Sequence, residues 1–444
     1  MTGMSGFPEL LPAERNVELY VLDHLRHVFE LHGFANVETR SVETTETLLQ
    51  KGEIDKEIYG LHRLNATDGE SESVLGLHYD LTVPFARYVL ENAGHLEFPF
   101  RRYQIQKVWR GERPQQGRFR EFTQADIDIV AKDELPFHFD VEVAQVMAEA
   151  LGGLPVPQLT LQVSNRKVLE GFYLGLGVAD PTAVMQVIDK LDRVPSDAVA
   201  AQLAELGLTD EQVRSCLALA EIVTTDTSFV ERVRELGVSH ELLDTGLSEL
   251  AQVIGSVRPV DGVTVVADLR IARGLDYYTG TVFETRMAGY DQLGSICSGG
   301  RYDQLASDGR HTYPGTGISL GVSRLLVPLL ADGLTSDRSV PSAVLVALVD
   351  EESRDISDEV AMRLRARGIP TEVAATAQKF GKQIRYAERR GIPYVWFPAA
   401  ESGDAQSPTH EVKDIRSGDQ VEADPDEWNP PIDDLAPHIK ETHS

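Results

Sequence analysis

Four arginines are the residues of this chain whose type and position favour chemistry on an anion. They are Arg110, Arg118, Arg273 and Arg324, and they lie in or beside predicted loops and strands. The planar guanidinium group binds phosphate or carboxylate oxygens through two parallel hydrogen bonds. Phosphoryl and adenylyl transfer need fixed cations of this kind around the phosphorus centre. Taken together, the four arginines predict a site for an anionic nucleotide.

The stretch RGLDYYTGTVFE, residues 273–284, places two adjacent tyrosines just after Arg273. Its pattern fits an ordinary turn that enters a strand, and it also fits a binding loop. Side chains of neighbouring strand residues point in opposite directions, so Tyr277 and Tyr278 cannot both face a ligand once the strand has begun. We favour Tyr278 as the ligand contact and keep both tyrosines as candidates.

A long antiparallel hairpin is predicted from RRYQIQKVWRGE and RFREFTQADIDIV, which a polar loop separates. Alternation with period 2 places polar side chains on one face of both strands: Gln104, Gln106, Arg110, Gln124, Asp126 and Asp128. Antiparallel sheets commonly leave one face in water. Gln, Arg and Asp mixed with Phe122 nevertheless favour a ligand platform over a solvated face.

A strand that passes into a helix is predicted at LHYDLTVP, residues 77–84. Thr82 has the side chain of a helix cap, and Pro84 fits the first helical turn. Polar groups at such a junction lie at the positive end of the helix dipole. Asp80 and Thr82 are therefore expected to face open space at this junction.

The domain organisation follows from changes of pattern along the chain. Residues 1–170 and 261–332 combine strands and helices and are predicted to form one catalytic domain in two parts. Residues 171–260 are helical and acidic, which predicts an inserted helical domain. Residues 340–424 alternate β-α-β-α-β and predict a small α/β domain with parallel strands. Residues 425–444 are predicted to be an acidic, poorly ordered tail.

Composition limits the class of protein. The chain is 42% hydrophobic and 25% charged, as expected of a water-soluble globular protein, and no apolar run approaches the roughly 20 residues that span a bilayer. Two separate cysteines, Cys216 and Cys297, are typical of a reducing cytoplasm. The net charge of −28 disfavours a general nucleic-acid coat, so any contact with nucleic acid should be local.

One short motif suggests a different enzyme class. Gly317–Gly321 fits G-x-S-x-G, the nucleophile elbow of α/β hydrolases, with Ser319 as the nucleophile. A hydrolase would place that turn in a parallel sheet, followed by an acid and a histidine. The strands around it are predicted to be antiparallel, and no convincing triad follows. The glycines are better explained by close backbone packing.

The motifs, in their order, resemble the class II aminoacyl-tRNA synthetases and specifically the histidyl-tRNA synthetase family. Arg110-Gly-Glu112 with Arg118 and Phe122 resembles class II motif 2, and GISLGVSRLL, which contains Arg324, resembles motif 3. The amino-acid assignment rests on four segments similar to histidine-specific ones: YDLTVPFARY, GERPQQGRFREFTQADIDI, ARGLDYYTG and GGRYDQL.

The resemblance implies an α+β fold, with an antiparallel-sheet class II catalytic domain, a helical insertion and a C-terminal α/β anticodon-binding domain. It implies activation of L-histidine by ATP with Mg²⁺, transfer to tRNA(His), no tightly bound prosthetic group, a homodimer and a cytoplasmic location. The residues implied to hold ATP are Arg110, Glu112, Arg118, Phe122 and Arg324. Those implied to hold histidine are Asp80, Leu81, Thr82, Arg110, Gln124, Asp128, Arg273, Tyr277 and Tyr278. Arg273, Arg110 and Arg324 are the implied catalytic residues.

The sequence departs from the family pattern at two positions. Ser41 stands where motif 1 usually has a proline, and Ser323 stands where motif 3 often has an acid. A non-catalytic relative, such as a regulatory subunit of ATP phosphoribosyltransferase, is the main alternative. Such a protein should lack the final domain and several site residues, and this sequence retains both. Basic residues of the last helix, Lys379, Lys382, Arg385 and Arg389, are candidates for tRNA contact, with a solvated helix face as the alternative.

Overall fold

The computed structural model describes residues 4–49, 57–63, 74–115, 117–271, 278–304, 306–399 and 409–440. The chain divides into two compact units. One contains Val21–Pro328 together with the N-terminal residues up to Pro8. The other contains Glu9–Tyr20 and Leu329–Ser444. The predicted site residues Arg273 and Tyr277 lie outside the described residues.

The described strands are numbered in chain order. They are β1 Ala35–Asn36, β2 Val42–Thr44, β3 Gly60–Leu61, β4 Leu75–Leu77, β5 Phe100–Trp109, β6 Glu121–Val130, β7 Leu159–Asn165, β8 Val223–Thr224, β9 Val263–Asp268, β10 Tyr278–Met287, β11 Cys297–Tyr302, β12 Gly315–Gly321, β13 Thr335–Ser336, β14 Val344–Val346, β15 Thr371–Val373, β16 Tyr394–Phe397, β17 Glu411–Asp414, β18 Gln420–Glu422 and β19 Ile439–Lys440.

The described α-helices are numbered in the same way. They are α1 Pro12–Leu31, α2 Thr45–Leu48, α3 Thr82–Asn92, α4 His138–Gly152, α5 Arg166–Gly175, α6 Pro181–Ile188, α7 Ser196–Glu205, α8 Asp210–Ala220, α9 Phe229–Arg234, α10 Glu241–Ser256, α11 Val322–Ala331, α12 Arg354–Ala366 and α13 Phe380–Arg390.

A nine-stranded sheet forms the centre of the first unit among the described strands. Its order is β1-β5-β6-β12-β11-β10-β7-β9-β8. Every neighbouring pair is antiparallel except β1 with β5 and β7 with β9. The predicted hairpin is present as β5 and β6, with Arg102 opposite Asp128 and Gln104 opposite Asp126. The predicted fold class, an antiparallel-sheet catalytic domain followed by an α/β domain, is confirmed.

Helices α5 to α10 occupy most of the stretch between β7 and β9, so its helical character is as the sequence indicated. Local signals explain where two of them begin. Thr209 and Gln212 form a reciprocal capping box at the start of α8, and the Asn165 side chain accepts from the Lys167 N–H at the start of α5. These helices belong to the same compact unit as the sheet, and the boundaries 171 and 260 remain a prediction.

The second unit contains a five-stranded sheet with the order β15-β14-β16-β17-β18. β14 is parallel to both β15 and β16, as the β-α-β-α-β pattern predicted. Consecutive residues of β14 pack in two separate apolar clusters, because strand side chains alternate between the two faces of the sheet. Val344 packs in a cluster with Leu364 of α12, and Leu345 packs in a cluster with Ala387 of α13. The two helices therefore cover opposite faces of this sheet.

The prediction of a poorly ordered tail is wrong for residues 425–440. Trp428 packs edge-on against Trp396, with ring centroids 5.6 Å apart. Asp434 is 8% exposed and accepts a hydrogen bond of 2.6 Å from the Tyr394 hydroxyl. The backbone oxygen of Asp434 also accepts from Arg338. The acidic composition was misleading because the few apolar and paired acidic side chains of this segment complete the core of the second unit.

Candidate active site

A pocket lies on the polar face of the central sheet. It brings together most of the residues that the sequence predicted for ATP and histidine, although these are distant in the chain. Its lining comprises Asp80, Thr82, Arg110, Glu112, Gly117, Arg118, Phe119, Phe122, Gln124, Tyr278, Ser295, Ile296, Ser298, Ser319, Gly321 and Arg324.

One end of the pocket holds three arginines. The Arg324 side chain, on the first turn of α11, donates to the backbone oxygens of Gly117 (3.0 Å) and Ser295 (2.7 Å). Burial lowers the pKa of Arg324 from its usual value, and the charges of Arg118 and Arg110 lower it further. Mutual repulsion of this kind is relieved by a bound anion, so the electrostatics of this end favour phosphate.

The other two arginines are held by short-range contacts. Arg110 donates to the Tyr79 backbone oxygen (3.0 Å), and its guanidinium lies 5.1 Å from the centre of the Phe122 ring. Arg118 pairs with Glu112 at 3.1 Å. This part-buried pair orients the Arg118 guanidinium.

The opposite end of the pocket is acidic and amide-rich. Asp80 is buried, and its carboxylate accepts from the Val83 N–H (3.1 Å) at the start of α3. The expectation that Thr82 caps this helix is therefore wrong. The helix begins at Thr82 itself, and the Asp80 side chain reaches the free N–H three residues on, as cap side chains do. Thr82 is left to line the pocket.

On the polar face of β5 and β6, several polar side chains are buried rather than solvated. Gln104 and Asp126 are fully buried, and Asp128 is 4% exposed. The Gln124 side-chain amide donates to the Asp126 carboxylate (3.0 Å) and lies 3.4 Å from the Ser319 hydroxyl of β12. The alternation predicted which residues share a face but not that this face is covered.

Two glycines make room for the side chains that flank the far end of the pocket. A Cβ at Gly317 would lie 2.3 Å from an Asp128 carboxylate oxygen, and a Cβ at Gly300 would lie 2.9 Å from the Tyr278 ring. Only glycine permits such an approach without moving the neighbour. Tyr278 lines the pocket, and Asp128, which does not line it, lies across the two glycines from Tyr278. The choice of Tyr278 over Tyr277 as the ligand contact stays a prediction, because Tyr277 lies outside the described residues.

Comparison with known proteins identifies the family. Residues 6–325 match the sequence model described as "Histidyl-tRNA synthetase", and residues 343–430 match one described as "Anticodon binding domain". The Histidine--tRNA ligase of Cutibacterium acnes is 58% identical over 98% of each chain. The chain belongs to the histidyl-tRNA synthetase family. The crystal structure of histidyl-tRNA synthetase from Nostoc sp. PCC 7120 matches with a TM-score of 0.84 at 34% identity, over 95% of this chain and 96% of that one.

The predicted family and enzyme class are thus confirmed, and the chain is an aminoacyl-tRNA synthetase of the histidine–tRNA ligase type. A structure from Bacillus halodurans C, described as an ATP phosphoribosyltransferase regulatory subunit/histidyl-tRNA synthetase, also matches, with a TM-score of 0.70. At 20% identity, over 87% of this chain and 96% of that one, it shares the fold alone. The anticodon-binding domain, which we expected a regulatory subunit to lack, is present here.

The two departures from the family pattern have structural explanations. The Ser323 hydroxyl accepts from the Thr123 N–H (3.0 Å), which fixes the start of α11 to β6. The Ser41 hydroxyl accepts from Gln106 (3.0 Å), and its backbone oxygen accepts from the His78 N–H (3.0 Å). Both serines use a small hydroxyl group to join elements that position the pocket.

The hydrolase alternative has no structural support. Ser319 lies in β12, and both neighbours of β12, β6 and β11, are antiparallel to it. A nucleophile elbow requires a sharp turn within a parallel sheet. Ser319 instead contributes its hydroxyl to the pocket lining beside Gln124.

Some predicted residues are not brought to the pocket surface, and some buried ones were missed. Leu81 is fully buried, Asp128 is 4% exposed, and neither is among the lining residues. Sequence reasoning missed Arg102 and Tyr302, which both contact Asp128. The signal for Arg102 was present, since it shares the parity of Gln104 and falls opposite Asp128 once the hairpin register is set. Tyr302 gave no such signal, because its contact joins strands far apart in the chain.

No group of three or more His, Cys, Asp or Glu side chains among the described residues is arranged to hold a metal ion. In the same residues, no helix is both long and apolar enough to cross a bilayer.

Proposed function

We propose that this pocket joins L-histidine to ATP and then transfers the histidyl group to the 3′-terminal adenosine of tRNA(His). In the first step, a histidine carboxylate oxygen attacks the α-phosphorus of ATP. The bond from that phosphorus to the bridging oxygen breaks, and pyrophosphate leaves. In the second step, a ribose hydroxyl of the tRNA attacks the histidyl carbonyl, and AMP leaves. The observation that carries the proposal is the convergence of three arginines at one end of a pocket whose other end is acidic.

ATP is assigned to the arginine end. Arg110 and Arg324 face the phosphates, and their fixed charges stabilise the negative charge that develops on the α-phosphate. Phe122 stacks on the adenine, and Arg118 with Glu112 holds the nucleotide in place. Arg110 and Phe122 are already in contact, so the pocket is organised before ATP arrives. Arg273, which lies outside the described residues, is proposed to bridge the histidine carboxylate and the α-phosphate.

Histidine is assigned to the acidic end. Asp80, Thr82 and Gln124 hold the α-ammonium group, since a cation needs acceptor oxygens in a buried site. Asp128 and Tyr278 hydrogen-bond the imidazole, and the buried Leu81 supports the pocket wall. Tyr277, which lies outside the described residues, is proposed as a further wall or backbone contact. A site that hydrogen-bonds both ring nitrogens rejects apolar side chains strongly, because such side chains would leave buried polar groups unpaired.

Mg²⁺ enters with ATP as part of the substrate. Its preferred ligands are oxygens, and it usually retains several waters together with one or two carboxylates and the substrate phosphates. Glu112, which lines the arginine end, is a suitable carboxylate. The ion would offset phosphate charge, and the three arginines complete that role.

The tRNA is assigned to α13 in the second unit. Lys382, Arg385 and Arg389 are exposed and share one face of this helix, opposite the buried Gln383 and Ala387, and the exposed Lys379 precedes the helix as its N-cap residue. A pocket beside α13 is lined by Thr376, Gln378, Lys382, Arg385, Tyr386 and Arg389, among others. Cations interleaved with an aromatic ring suit an unstacked nucleotide.

A homodimer in the cytoplasm completes the proposal. Large apolar side chains are exposed around β4 and the end of α2, among them Leu49 (44% exposed), Val74 (72%) and Leu75 (45%). Exposed apolar groups that cluster in this way are typical of an interface. Sedimentation equilibrium of the purified chain measures the dimer directly.

Histidine-dependent exchange of radiolabelled pyrophosphate into ATP tests the first step. Purified protein should show exchange with histidine and none with phenylalanine or glutamine, and it should charge tRNA(His) in a separate assay. Folded protein without histidine-dependent exchange would refute the proposal. If the protein shows exchange but does not charge tRNA(His), the activation step is supported and the transfer step is rejected.

A further inference from the structure

One cation and two carboxylates are buried together beyond Gln124 along β6. Arg102 and Asp126 are fully buried, and Asp128 is 4% exposed. Burial of ionised groups is costly unless they are paired and hydrogen-bonded. The site residues of the pocket do not include Arg102. Arg102 is therefore a buried cation beside Asp128, the carboxylate proposed to bind the imidazole, and its role has to be explained.

The arginine is the counter-ion of Asp128 in particular. Its NH2 nitrogen lies 2.7 Å from Asp128 Oδ2 and 3.8 Å from Asp126 Oδ2. The guanidinium is fixed from two further sides: it lies 4.3 Å from the centre of the Phe85 ring, and its NH1 donates to Gln104 at 3.4 Å. A planar group held in this way has little freedom to move towards Asp126.

Both carboxylate oxygens of Asp128 therefore have a fixed partner. Tyr302 donates its hydroxyl hydrogen to Oδ1 (2.8 Å), while Arg102 contacts Oδ2. An ionised carboxylate is an acceptor only, and each of its oxygens has two lone pairs. These two contacts hold the carboxylate group in one orientation.

The second carboxyl group, that of Asp126, lies in a different environment. Burial raises the pKa of Asp126 to about 7, against the attraction of Arg102 and with the repulsion of Asp128. The Gln124 amide donates to this carboxyl group. Among the described residues, no cation lies closer to the Asp126 carboxyl group than Arg102, at 3.8 Å. Near neutral pH the cluster thus has one carboxylate with a firm counter-ion and one carboxyl group that readily holds a proton.

We propose that Arg102 is a positioning residue for histidine recognition, which holds the Asp128 carboxylate ionised and in one orientation as the acceptor for an imidazole N–H. This inference rests on the proposed function, in which Asp128 reads the imidazole. Without the cation, Asp126 and Asp128 would compete for a single proton. A protonated Asp128 presents a donor to the ligand, so the fraction of molecules competent to bind histidine would fall.

The test compares Arg102→Met and Arg102→Lys with wild type in the full chain, by histidine-dependent ATP–pyrophosphate exchange between pH 6.5 and 8.5. Arg102→Met should raise KM for histidine roughly tenfold or more at pH 7, because the proposed hydrogen bond from the imidazole N–H to the ionised Asp128 is lost. KM for ATP should stay within about twofold, since the arginine end of the pocket is unchanged. Arg102→Lys retains the charge without the planar fork and should show an intermediate rise of at least about threefold.

The pH profile separates positioning from mere stability. Loss of the cation raises the pKa of the remaining carboxyl groups, so a higher pH restores an ionised Asp128. KM for histidine of Arg102→Met, divided by the wild-type value at each pH, should therefore fall as the pH rises. A purely structural role predicts a ratio that does not change with pH.

Arg301→Lys and Arg301→Met are the matched controls. Arg301 is another largely buried arginine of the same sheet, paired with Asp140 at 2.6 Å, and it does not line the pocket. These variants should lower Tm and leave both KM values within about twofold of wild type. An Arg102→Lys protein with unchanged KM for histidine would overturn the inference, as would equal rises in both KM values. If Arg102→Met does not fold, Arg102→Lys decides alone. A wild-type chain without exchange refutes the proposed function instead.

Discussion

At the scale of single residues, Asp126 should make the folded chain less stable as the pH rises from 5 to 8. Burial raises the pKa of this carboxyl group to about 7, with Asp128 acting in the same direction and Arg102 opposing. The folded chain therefore keeps a proton that the unfolded chain loses above about pH 4. The stabilising contribution is complete below that pH and is lost as the pH rises towards 7. Asp126→Asn carries no titrating group, so its Tm relative to wild type should rise by several degrees between pH 5 and pH 8.

Thermal unfolding monitored by circular dichroism at pH 5, 6, 7 and 8 measures this difference. Asp261→Asn removes an exposed carboxylate of the same unit and should change Tm by the same small amount at every pH. A difference between Asp126→Asn and wild type that stays constant with pH would show that Asp126 is ionised throughout.

The residues of the pocket were largely predictable, and their environment was not. Motif resemblance selected Arg110, Gln124 and Arg324 because their spacing in the chain is distinctive. Nothing local indicates that Arg102 loses all contact with water, since this depends on Phe85 of α3, which covers it from another part of the chain. Side-chain type and parity are properties of the sequence, whereas burial depends on which element packs on which face.

At the scale of secondary structure, β12 depends on having no side chain where it passes Asp128. A Cβ at Gly317 would lie 2.3 Å from Asp128 Oδ1 and 2.5 Å from the Ile127 backbone oxygen. The backbone of a central strand cannot move away, so Gly317→Ala must displace β12 or the carboxylate. Overpacking of this kind costs about 1–3 kcal/mol. We expect Tm to fall by a few degrees and KM for histidine to rise roughly tenfold, as measured by thermal unfolding and pyrophosphate exchange.

Gly94→Ala is the control for this prediction. No heavy atom lies within 4 Å of a Cβ built at Gly94, and its backbone conformation suits any residue. This variant should match wild type in both assays. A Gly317→Ala protein with unchanged Tm and unchanged KM would mean that the approach of β12 to Asp128 is not needed for binding.

Simple sequence patterns predicted which helices and strands form, but they did not always predict where these elements begin and end. Period-2 alternation predicted the β5–β6 hairpin, because one strand face must differ from the other. The start of α3 was misplaced, because Asp80 and Thr82 both have side chains able to cap and the sequence does not rank them. Residues 425–440 were taken for a disordered tail, because three-dimensional pairs such as Asp434 with Tyr394 leave no periodic signal.

At the scale of the whole molecule, a net charge of −28 must be reconciled with a polyanionic partner. Long-range attraction cannot come from the total charge, so it must come from local surfaces within about a Debye length of the tRNA. Composition alone predicted that such a surface had to be local. In the second unit, α13 is the candidate for this surface, because its exposed lysine and arginine side chains lie on the face opposite its buried residues.

The double variant Lys382→Ala/Arg389→Ala should therefore impair tRNA charging and spare histidine activation. Each lost phosphate contact weakens binding and lowers the dependence of affinity on salt. We expect KM for tRNA to rise about tenfold, with a shallower salt dependence, in steady-state aminoacylation. Histidine-dependent pyrophosphate exchange should be unchanged, because the pocket of the first unit is intact.

Arg354→Ala/Arg363→Ala is the control: it makes the same charge change on α12, which covers the other face of the sheet, and should leave KM for tRNA at its wild-type value. Equal losses in the two double variants would mean that total charge, and not the α13 face, governs the encounter with tRNA.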